Sequence, residues 1–253
     1  MIAISLQSGS NGNSIYVETD DTKLLFDAGI SGIEAERRLA SHGRDIRQVS
    51  AVVISHDHAD HVCCAGVYQR KYGLPLYMTP RTLAIAQKMH RLGRLHDVRY
   101  FSAGSVLAFG ETSVQTIPTP HDGADGVAFV VTSHEKRLGI LTDLGHVFEG
   151  LNTIISSLDA IFLESNYDPE MLASGWYPAF LKQRIQGPGG HLSNGEAAHL
   201  LVAGQSLKWA CLAHLSEQNN NPILALEAHR KVLGSRVRLF TASRYGATGI
   251  LHV

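Results

Sequence analysis

Residues 50–61 read SAVVISHDHADH, a short apolar run followed at once by a cluster of histidines and aspartates. The run is rich in β-branched residues and bounded by polar ones, which predicts a buried strand that ends just before His56. Imidazoles and carboxylates at this density are typical ligands of zinc, manganese or iron, and a solvated turn would not need them. We therefore predict a metal site at the C-terminal end of this strand.

The spacing inside the cluster indicates two ions. His56 and His58 are two residues apart and can converge on a first ion, whereas Asp60 and His61 are displaced along the chain and can reach a second. The pattern becomes helical after the cluster, so Asp60 and His61 are expected at the start of a helix over residues 61–72.

The composition allows a sizeable core. The chain has 253 residues, 44% of them hydrophobic, and no low-complexity linker divides it, so we predict one domain over residues 1–253. No apolar stretch is long enough to span a bilayer and no secretory leader is visible, so we expect a cytoplasmic protein with no membrane partner. Cys63, Cys64 and Cys211 do not suffice for a disulfide framework; we expect free thiols, with Cys63 and Cys64 in the core.

A formal net charge of −1 gives the chain no general attraction to nucleic acid, so any such binding needs a local basic patch. Residues 81–99 and residues 230–244 each contain five arginines or lysines and are the candidates. Ordinary solvated helix faces would also explain both runs.

Polar side chains end several more of the predicted strands. His121 follows the strand at 112–117, Asp143 follows 137–142, Glu164 follows 159–163, and His214 follows 207–213. In layered α/β architectures such strand ends meet along one rim of a sheet, where ligands bind. Either histidine alone would be explained by a structural role, but together with the cluster at residues 56–61 they are expected to complete the metal site.

The remaining pattern is strands with interspersed helices, repeated twice, with Asp143 near the middle. Further strands are predicted at 2–7, 14–19, 23–27, 98–101, 105–109 and 127–132, and helices at 31–42, 80–93, 147–156, 168–184, 194–203 and 221–233.

The order of the histidines and aspartates resembles that of the metallo-β-lactamase fold hydrolases over the whole chain. The segments SGSNGN at 8–13, LFDAG at 25–29, GHLSN at 190–194 and AHLS at 213–216 resemble the YycJ (WalJ) branch of that family, which is related to RNase Z. The resemblance implies an α/β fold, an αββα sandwich of two sheets packed face to face with a dinuclear site at one edge.

The same resemblance implies a ligand set for two divalent ions, with zinc favoured over manganese or iron. The first ion would be held by His56, His58 and His121, the second by Asp60, His61 and His214, with Asp143 bridging both. Two ions roughly 3.5 to 4 Å apart can share a hydroxide nucleophile and stabilise the attacking and leaving oxygens of an in-line displacement.

Glu164 and His191 resemble a proton-donating pair of the RNase Z group, which would supply the proton that a departing sugar oxygen needs. It is equally consistent with the sequence that Glu164 only orients a metal-bound imidazole, or that His191 caps the helix that begins near Ser193. Asp60 can also orient the attacking water. We therefore treat Asp60, Glu164 and His191 as candidate catalytic residues.

The resulting hypothesis is a metal-dependent phosphodiesterase and nuclease, for which the resemblance implies 5′-to-3′ exonuclease action on DNA more than on RNA. The near-neutral charge also suits a phosphodiesterase for a small cyclic or nucleotide substrate. A hydrolase of esters, thioesters or lactones, and a regulatory binding protein with a vestigial site, are also compatible with the sequence. The chain lacks the long arm of RNase Z and the inserted domain of RNase J, and the sequence makes no prediction of oligomeric state.

Overall fold

Fourteen strands and nine α-helices form the protein in a computed structural model that describes residues 1–253. The strands are β1 (Ile2–Gln7), β2 (Ser14–Glu18), β3 (Lys23–Phe26), β4 (Ala51–Val53), β5 (Leu76–Met78), β6 (Val98–Tyr100), β7 (Val106–Phe109), β8 (Thr112–Pro118), β9 (Val127–Ser133), β10 (Lys136–Leu141), β11 (Ala160–Glu164), β12 (Trp209–Ala213), β13 (Arg238–Thr241) and β14 (Leu251–His252). The helices are α1 (Gly32–Ala40), α2 (Ala59–Val62), α3 (Ala65–Tyr72), α4 (Pro80–Met89), α5 (Leu151–Ser156), α6 (Pro169–Ser174), α7 (Ala179–Gln186), α8 (Asn194–Leu200) and α9 (Pro222–Leu233).

The strands divide into two seven-stranded mixed sheets. The first has the order β14-β1-β2-β3-β4-β5-β6 and the second the order β13-β12-β11-β10-β9-β8-β7. Strands β3 to β6 are parallel to one another, as are β10 to β13, and the remaining neighbours pair antiparallel. Two runs of parallel strands therefore bring their C-terminal ends to sheet edges, where loops can carry ligands.

The sheets pack face to face through aromatic and branched side chains. Phe26 of β3 contacts Phe129 of β9 with ring centroids 5.0 Å apart, and Phe162 of β11 is fully buried in the same layer. Separate apolar layers on the outer faces join the first sheet to α1 and α3 and the second sheet to α5 and α8. The predicted αββα sandwich is confirmed.

Most predicted strands are confirmed, but the structure has three more. Strands β5, β13 and β14 have three, four and two residues, too few for a clear alternation of apolar and polar side chains. Each exists because a neighbouring strand supplies its hydrogen-bonding partner.

Two predicted helices are each divided into two. The helix expected over 168–184 is α6 and α7, separated at residues 175–178, where Pro178 lacks a backbone N–H and restricts the residue before it. The helix expected over 61–72 is α2 and α3.

The cysteines at the junction of α2 and α3 correct a further prediction. Cys63 is exposed and Cys64 half-buried, so the expectation that both lie in the core is wrong, because this junction faces outward. All three cysteines are free thiols, as predicted. None of the helices is long and apolar enough to cross a membrane.

Candidate metal centre

The 56–61 cluster occupies the turn between β4 and α2, with Asp60 and His61 in the first turn of α2, as predicted. The loop between β1 and β2 holds this turn in place, because Asn13 N–H donates to the carbonyl of Asp60 at 2.7 Å. Gly29 permits the close approach: a Cβ atom there would lie 1.7 Å from the Asp60 carbonyl oxygen. The SGSNGN segment at residues 8–13 is therefore the loop that supports the site.

Three histidines form the first ligand cluster. The metal-facing nitrogens of His56, His58 and His121 lie within 4.8 Å of one another, and His121 Nε2 is 3.2 Å from His58 Nδ1. His121 Nδ1 donates to the carbonyl of Gly190 at 2.9 Å, and His56 Nδ1 lies 2.9 Å from the Ser55 hydroxyl. These bonds orient the rings so that the opposite nitrogens face the cluster.

The second cluster contains Asp60, His61 and His214, again within 4.8 Å. Asp60 Oδ2 lies 3.4 Å from His61 Nε2 and 3.3 Å from His214 Nε2. His61 Nδ1 donates to Asp27 Oδ2 at 2.7 Å, and Asn166 Nδ2 lies 3.2 Å from His214 Nδ1. Both imidazoles are therefore held from behind with Nε2 toward the cluster.

Asp143 lies between the clusters. Its Oδ2 is 3.3 Å from His61 Nε2, and its Oδ1 is 3.6 Å from the Nε2 atoms of both His121 and His214. The carboxylate thus faces ligand candidates of both sets, which is the position that a bridging ligand requires.

Three residues of the site adopt left-handed backbone conformations. Asp27, Asp143 and His214 have φ values of 67°, 56° and 54°, and each directly or nearly follows a strand. This conformation costs free energy in residues other than glycine, and such strain concentrates at functional sites. The geometry turns these side chains toward the shared edge of the two sheets.

The charges of the site are strongly coupled. Burial disfavours the imidazolium of His214, but the carboxylates of Asp143 and Asp60 outweigh burial and raise its pKa to about 9. For His61, burial is likewise outweighed by Asp143, Asp60 and Asp27, so the pKa is raised well above its usual value. His56 is fully buried with histidines around it, and its pKa is lowered well below the usual value. The carboxylates thus favour positive charge at the second cluster.

The donor set fits divalent metal ions. His56 Nε2 and Asp143 Oδ2 are both buried and make no hydrogen bond in the protein, although His61 Nε2 lies 3.3 Å from Asp143 Oδ2. Buried polar atoms are rarely left unpaired. Both atoms point into ligand clusters, and imidazole with carboxylate suits zinc, manganese or iron. Bound cations would satisfy these two atoms and the carboxylates that attract positive charge.

Glu164 and His191 form a pair beside the clusters. Glu164 is fully buried at the end of β11; its Oε1 accepts from His191 Nδ1 at 2.5 Å, and its Oε2 accepts from Leu144 N–H at 3.0 Å. His214 Nδ1 is farther from Glu164, at 3.9 Å. The main contact of Glu164 is therefore with His191 and not with the candidate ligand His214. The capping interpretation of His191 is wrong, because Ser193 caps α8 with a capping box.

The site opens into a cleft of about 350 Å³. Its lining includes Ser10, Met89, His90 and Arg184, together with His191 and five of the candidate ligands, namely His58, Asp60, His121, Asp143 and His214. Asp122, next to His121, lies 3.2 Å from His58 Nε2 and accepts from Arg184 Nε at 2.8 Å.

The structure therefore brings together all predicted site residues and adds several that the sequence pattern does not reveal. Asp27, Asn13, Asn166 and Asp122 hold ligand candidates in place but received no role from the sequence. Asp27 could have been found, since it is a carboxylate that directly follows strand β3, as Asp143 nearly follows β10. The asparagines carry no such signal.

None of the arginines and lysines of the two basic runs lines the cleft, although Met89 and His90 of the first run do. Arg81 and Arg99 instead pair with Asp125 and Asp97 at the surface.

Two facing mixed sheets with helices outside, and clustered histidines and aspartates at their common edge, define a class of protein, the αββα metal-dependent hydrolases. The chain belongs to the metallo-β-lactamase superfamily, whose family model matches residues 8–181. The predicted family and enzyme class are thereby confirmed, as is the use of divalent metal ions that the superfamily shares.

Among relatives, the chain is 37% identical over 232 residues to the exodeoxyribonuclease YycJ of Bacillus anthracis, covering 90% of this chain and 87% of the relative. It is 36% identical to the exodeoxyribonuclease WalJ of Streptococcus pneumoniae, covering 87% and 83%. The predicted resemblance to the YycJ branch is confirmed. Among solved structures, YhfI of Bacillus subtilis matches with a TM-score of 0.77 at 15% identity over 100% of both chains, which shows the shared fold.

Proposed function

We propose that the chain is a metal-dependent exodeoxyribonuclease. The observation that carries this proposal is the position of Asp143 between two ligand clusters, with the Glu164–His191 pair alongside. The similarity to YycJ and WalJ supports DNA as the substrate, in preference to RNA.

The ions would be held as the donor sets suggest. His56, His58 and His121 would bind the first ion, Asp60, His61 and His214 the second, and Asp143 would bridge them. When bound, such ions supply a hydroxide nucleophile at neutral pH and stabilise charge on the phosphoryl oxygens. We propose zinc as the ion, since three of the four residues proposed to bind the first ion are histidines.

The Glu164–His191 pair would donate the proton that the leaving oxygen requires. Glu164 has its two oxygens fixed by Leu144 N–H and His191 Nδ1, so it cannot turn away from the imidazole. The Nε2 atom of the His191 imidazole is then available to a substrate in the cleft, which His191 lines. An imidazole oriented by a carboxylate is an effective general acid near neutral pH.

Asp60 would have a second function besides binding metal. Its Oδ2 accepts from Asn13 Nδ2 at 3.1 Å, which fixes the carboxylate, and Asp60 also lines the cleft. A carboxylate in this position can accept a hydrogen bond from the attacking water and thereby orient it.

A direct test compares 5′-labelled single-stranded and double-stranded DNA, matched RNA, and bis(p-nitrophenyl) phosphate, using protein whose metal content has been measured. We expect labelled mononucleotides from DNA and hydrolysis of the chromogenic diester, both abolished by Asp143→Ala. Hydrolysis of the diester with DNA and RNA intact would instead favour a small phosphodiester substrate. No phosphodiester hydrolysis by protein with two bound ions would overturn the proposal and favour an ester or thioester.

A further inference from the structure

Residues 175–186, here called the aromatic segment, form an exposed element next to the metal centre. Trp176 is 75% exposed and Phe180 is 72% exposed, whereas the second tryptophan of the chain, Trp209, is only 4% exposed. The helix within the segment, α7, has no buried residue. Large aromatic side chains seldom remain this exposed, and clustered exposed apolar groups mark interaction surfaces.

Both ends of the aromatic segment are attached to loops that carry candidate ligands. At one end, Trp176 Nε1 donates to Gln218 Oε1 at 3.4 Å, four residues after His214. At the opposite end, Arg184 donates to Asp122, the residue after His121. The segment thus runs along the mouth of the cleft from the second ligand cluster to the first, and Arg184 itself lines the cleft.

The charge of this surface favours a polyanion. No aspartate or glutamate occurs between Glu170 and Glu196, while Lys182 and Arg184 lie on α7. Asp122 neutralises Arg184, whereas Lys182 has no acidic partner, so the segment keeps one uncompensated positive charge. Exposed aromatic rings beside basic side chains are typical of surfaces that bind single-stranded nucleic acid, where bases stack on the rings.

We propose that the aromatic segment is the binding surface for the single strand whose end lies in the metal centre, with Trp176 and Phe180 stacking on its bases. This inference rests on the proposed nuclease function and specifies how its substrate is held. Stacking is tolerant of sequence because every base has an aromatic face, so the surface would hold the strand without sequence preference.

The variants Trp176→Ala, Phe180→Ala and the double variant test the proposal in the metal-loaded enzyme. Loss of stacking is expected to raise KM for a single-stranded oligodeoxynucleotide by about 5- to 150-fold in each single variant and by more in the double variant, with little change in kcat. Bis(p-nitrophenyl) phosphate has no neighbouring bases to stack, so its kcat/KM should stay unchanged. Trp176→Phe keeps an aromatic ring and should restore most of the affinity.

Tyr100→Ala is the matched control. Tyr100 is a 58% exposed aromatic residue in β6, outside the cleft lining, so its loss should leave KM for the oligonucleotide at the wild-type value. The KM increase should also be smaller for a dinucleotide, whose two bases both adjoin the cleaved bond, than for a longer oligonucleotide.

A second readout uses binding alone. A non-hydrolysable phosphorothioate oligothymidine should quench the fluorescence of the metal-loaded wild-type enzyme, and Trp176→Phe should lose this change because Trp209 is buried.

If wild-type enzyme degrades DNA but the double variant keeps its KM, this inference is wrong and the nuclease proposal stands. If wild-type enzyme cleaves the diester but no DNA, the nuclease proposal fails and this inference fails with it. A double variant that changes from dimer to monomer with an unaltered KM would overturn the inference and assign the surface to a second copy of the chain.

Discussion

The side chain of Asp143 faces both ligand clusters, so its removal should affect both. We predict that Asp143→Ala loses at least one metal ion and nearly all turnover, because the bridge and the compensation of two adjacent cations are lost together. Metal analysis of the purified variant with an assay on DNA checks this. Unchanged metal content and rate would remove Asp143 from the bridging position.

The proton-donor role of His191 predicts a dependence on the leaving group. His191→Ala should keep both ions yet lose about 10² to 10⁴ in rate on DNA, because the departing sugar oxygen then leaves unprotonated. Bis(p-nitrophenyl) phosphate should be affected far less, since p-nitrophenolate leaves without a proton. Equal losses on both substrates, or loss of metal, would indicate a structural role for His191.

A histidine away from the site gives the expected pH dependence of stability. Burial within α9 disfavours the charged form of His229 and lowers its pKa to about 4, from 6.5, although its Nδ1 donates to the carbonyl of Ala225. The unfolded chain therefore binds more protons between these values, so His229 stabilises the fold above pH 6.5 and this stabilisation is lost as the pH falls toward 4.

The size of this effect is of order 3 kcal/mol of unfolding free energy. Urea denaturation at a series of pH values should show a shallower acid limb for His229→Leu than for wild type. Identical slopes would show that different groups control the acid limb.

Among the elements, the site depends on how closely the β1–β2 loop and the turn after β3 approach α2. Gly29→Ala places a Cβ atom 1.7 Å from the backbone oxygen of Asp60, and a backbone atom cannot rotate away. We predict a shift of α2, weaker binding of the second ion, and destabilisation by about 1 to 3 kcal/mol or more.

Gly195→Ala is the control for that variant. Gly195 lies in α8 with nothing within 4 Å of the added Cβ atom, so alanine should leave metal binding intact and stabilise the helix by up to about 1 kcal/mol. Thermal denaturation and metal titration of the two variants provide the comparison. Equal behaviour of both would contradict the close-approach argument.

Helix boundaries are hardest to predict near the cleft. The apolar and polar pattern over 168–184 favours one helix, but Pro178 and the contact of Trp176 with the loop after β12 divide it. Pro178 is a local signal that periodicity by itself overlooks, whereas the contact of Trp176 depends on a partner distant in sequence, which no local pattern reveals.

Across the whole molecule, the two sheets share one core and one metal centre. Phe26 of the first sheet packs on Phe129 of the second, and Trp209 Nε1 in β12 donates to the carbonyl of His252 in β14 at 2.8 Å. The candidate ligands also come from both sheets, with His56 after β4 and His214 after β12. We propose on this basis that residues 1–253 fold as one cooperative unit.

This proposal predicts a single unfolding transition. In a Trp176→Phe background, Trp209 fluorescence and far-ultraviolet circular dichroism should give the same urea midpoint. Removing metal by chelation should lower both midpoints together, because ions bind the folded state and not the unfolded one. Separate midpoints for the two probes would show that the sheets unfold independently.

The family, the two-sheet sandwich and the candidate ligands could be named from the amino-acid sequence without coordinates, because its motifs resemble those of the family. These depend on local information: the spacing of His56, His58, Asp60 and His61 within one turn, and polar residues such as Asp143 placed directly after apolar strands. Such patterns can be recognised in the sequence without knowledge of contacts between distant segments.

How the ligands are held, and what surrounds them, is settled by the three-dimensional packing alone. Asp27 behind His61, Asn166 behind His214, and the exposure of Cys63 and Trp176 each depend on segments far apart in the chain. Packing between distant segments selects which face of a residue is buried and which atom it contacts, and local sequence periodicity contains no record of that choice.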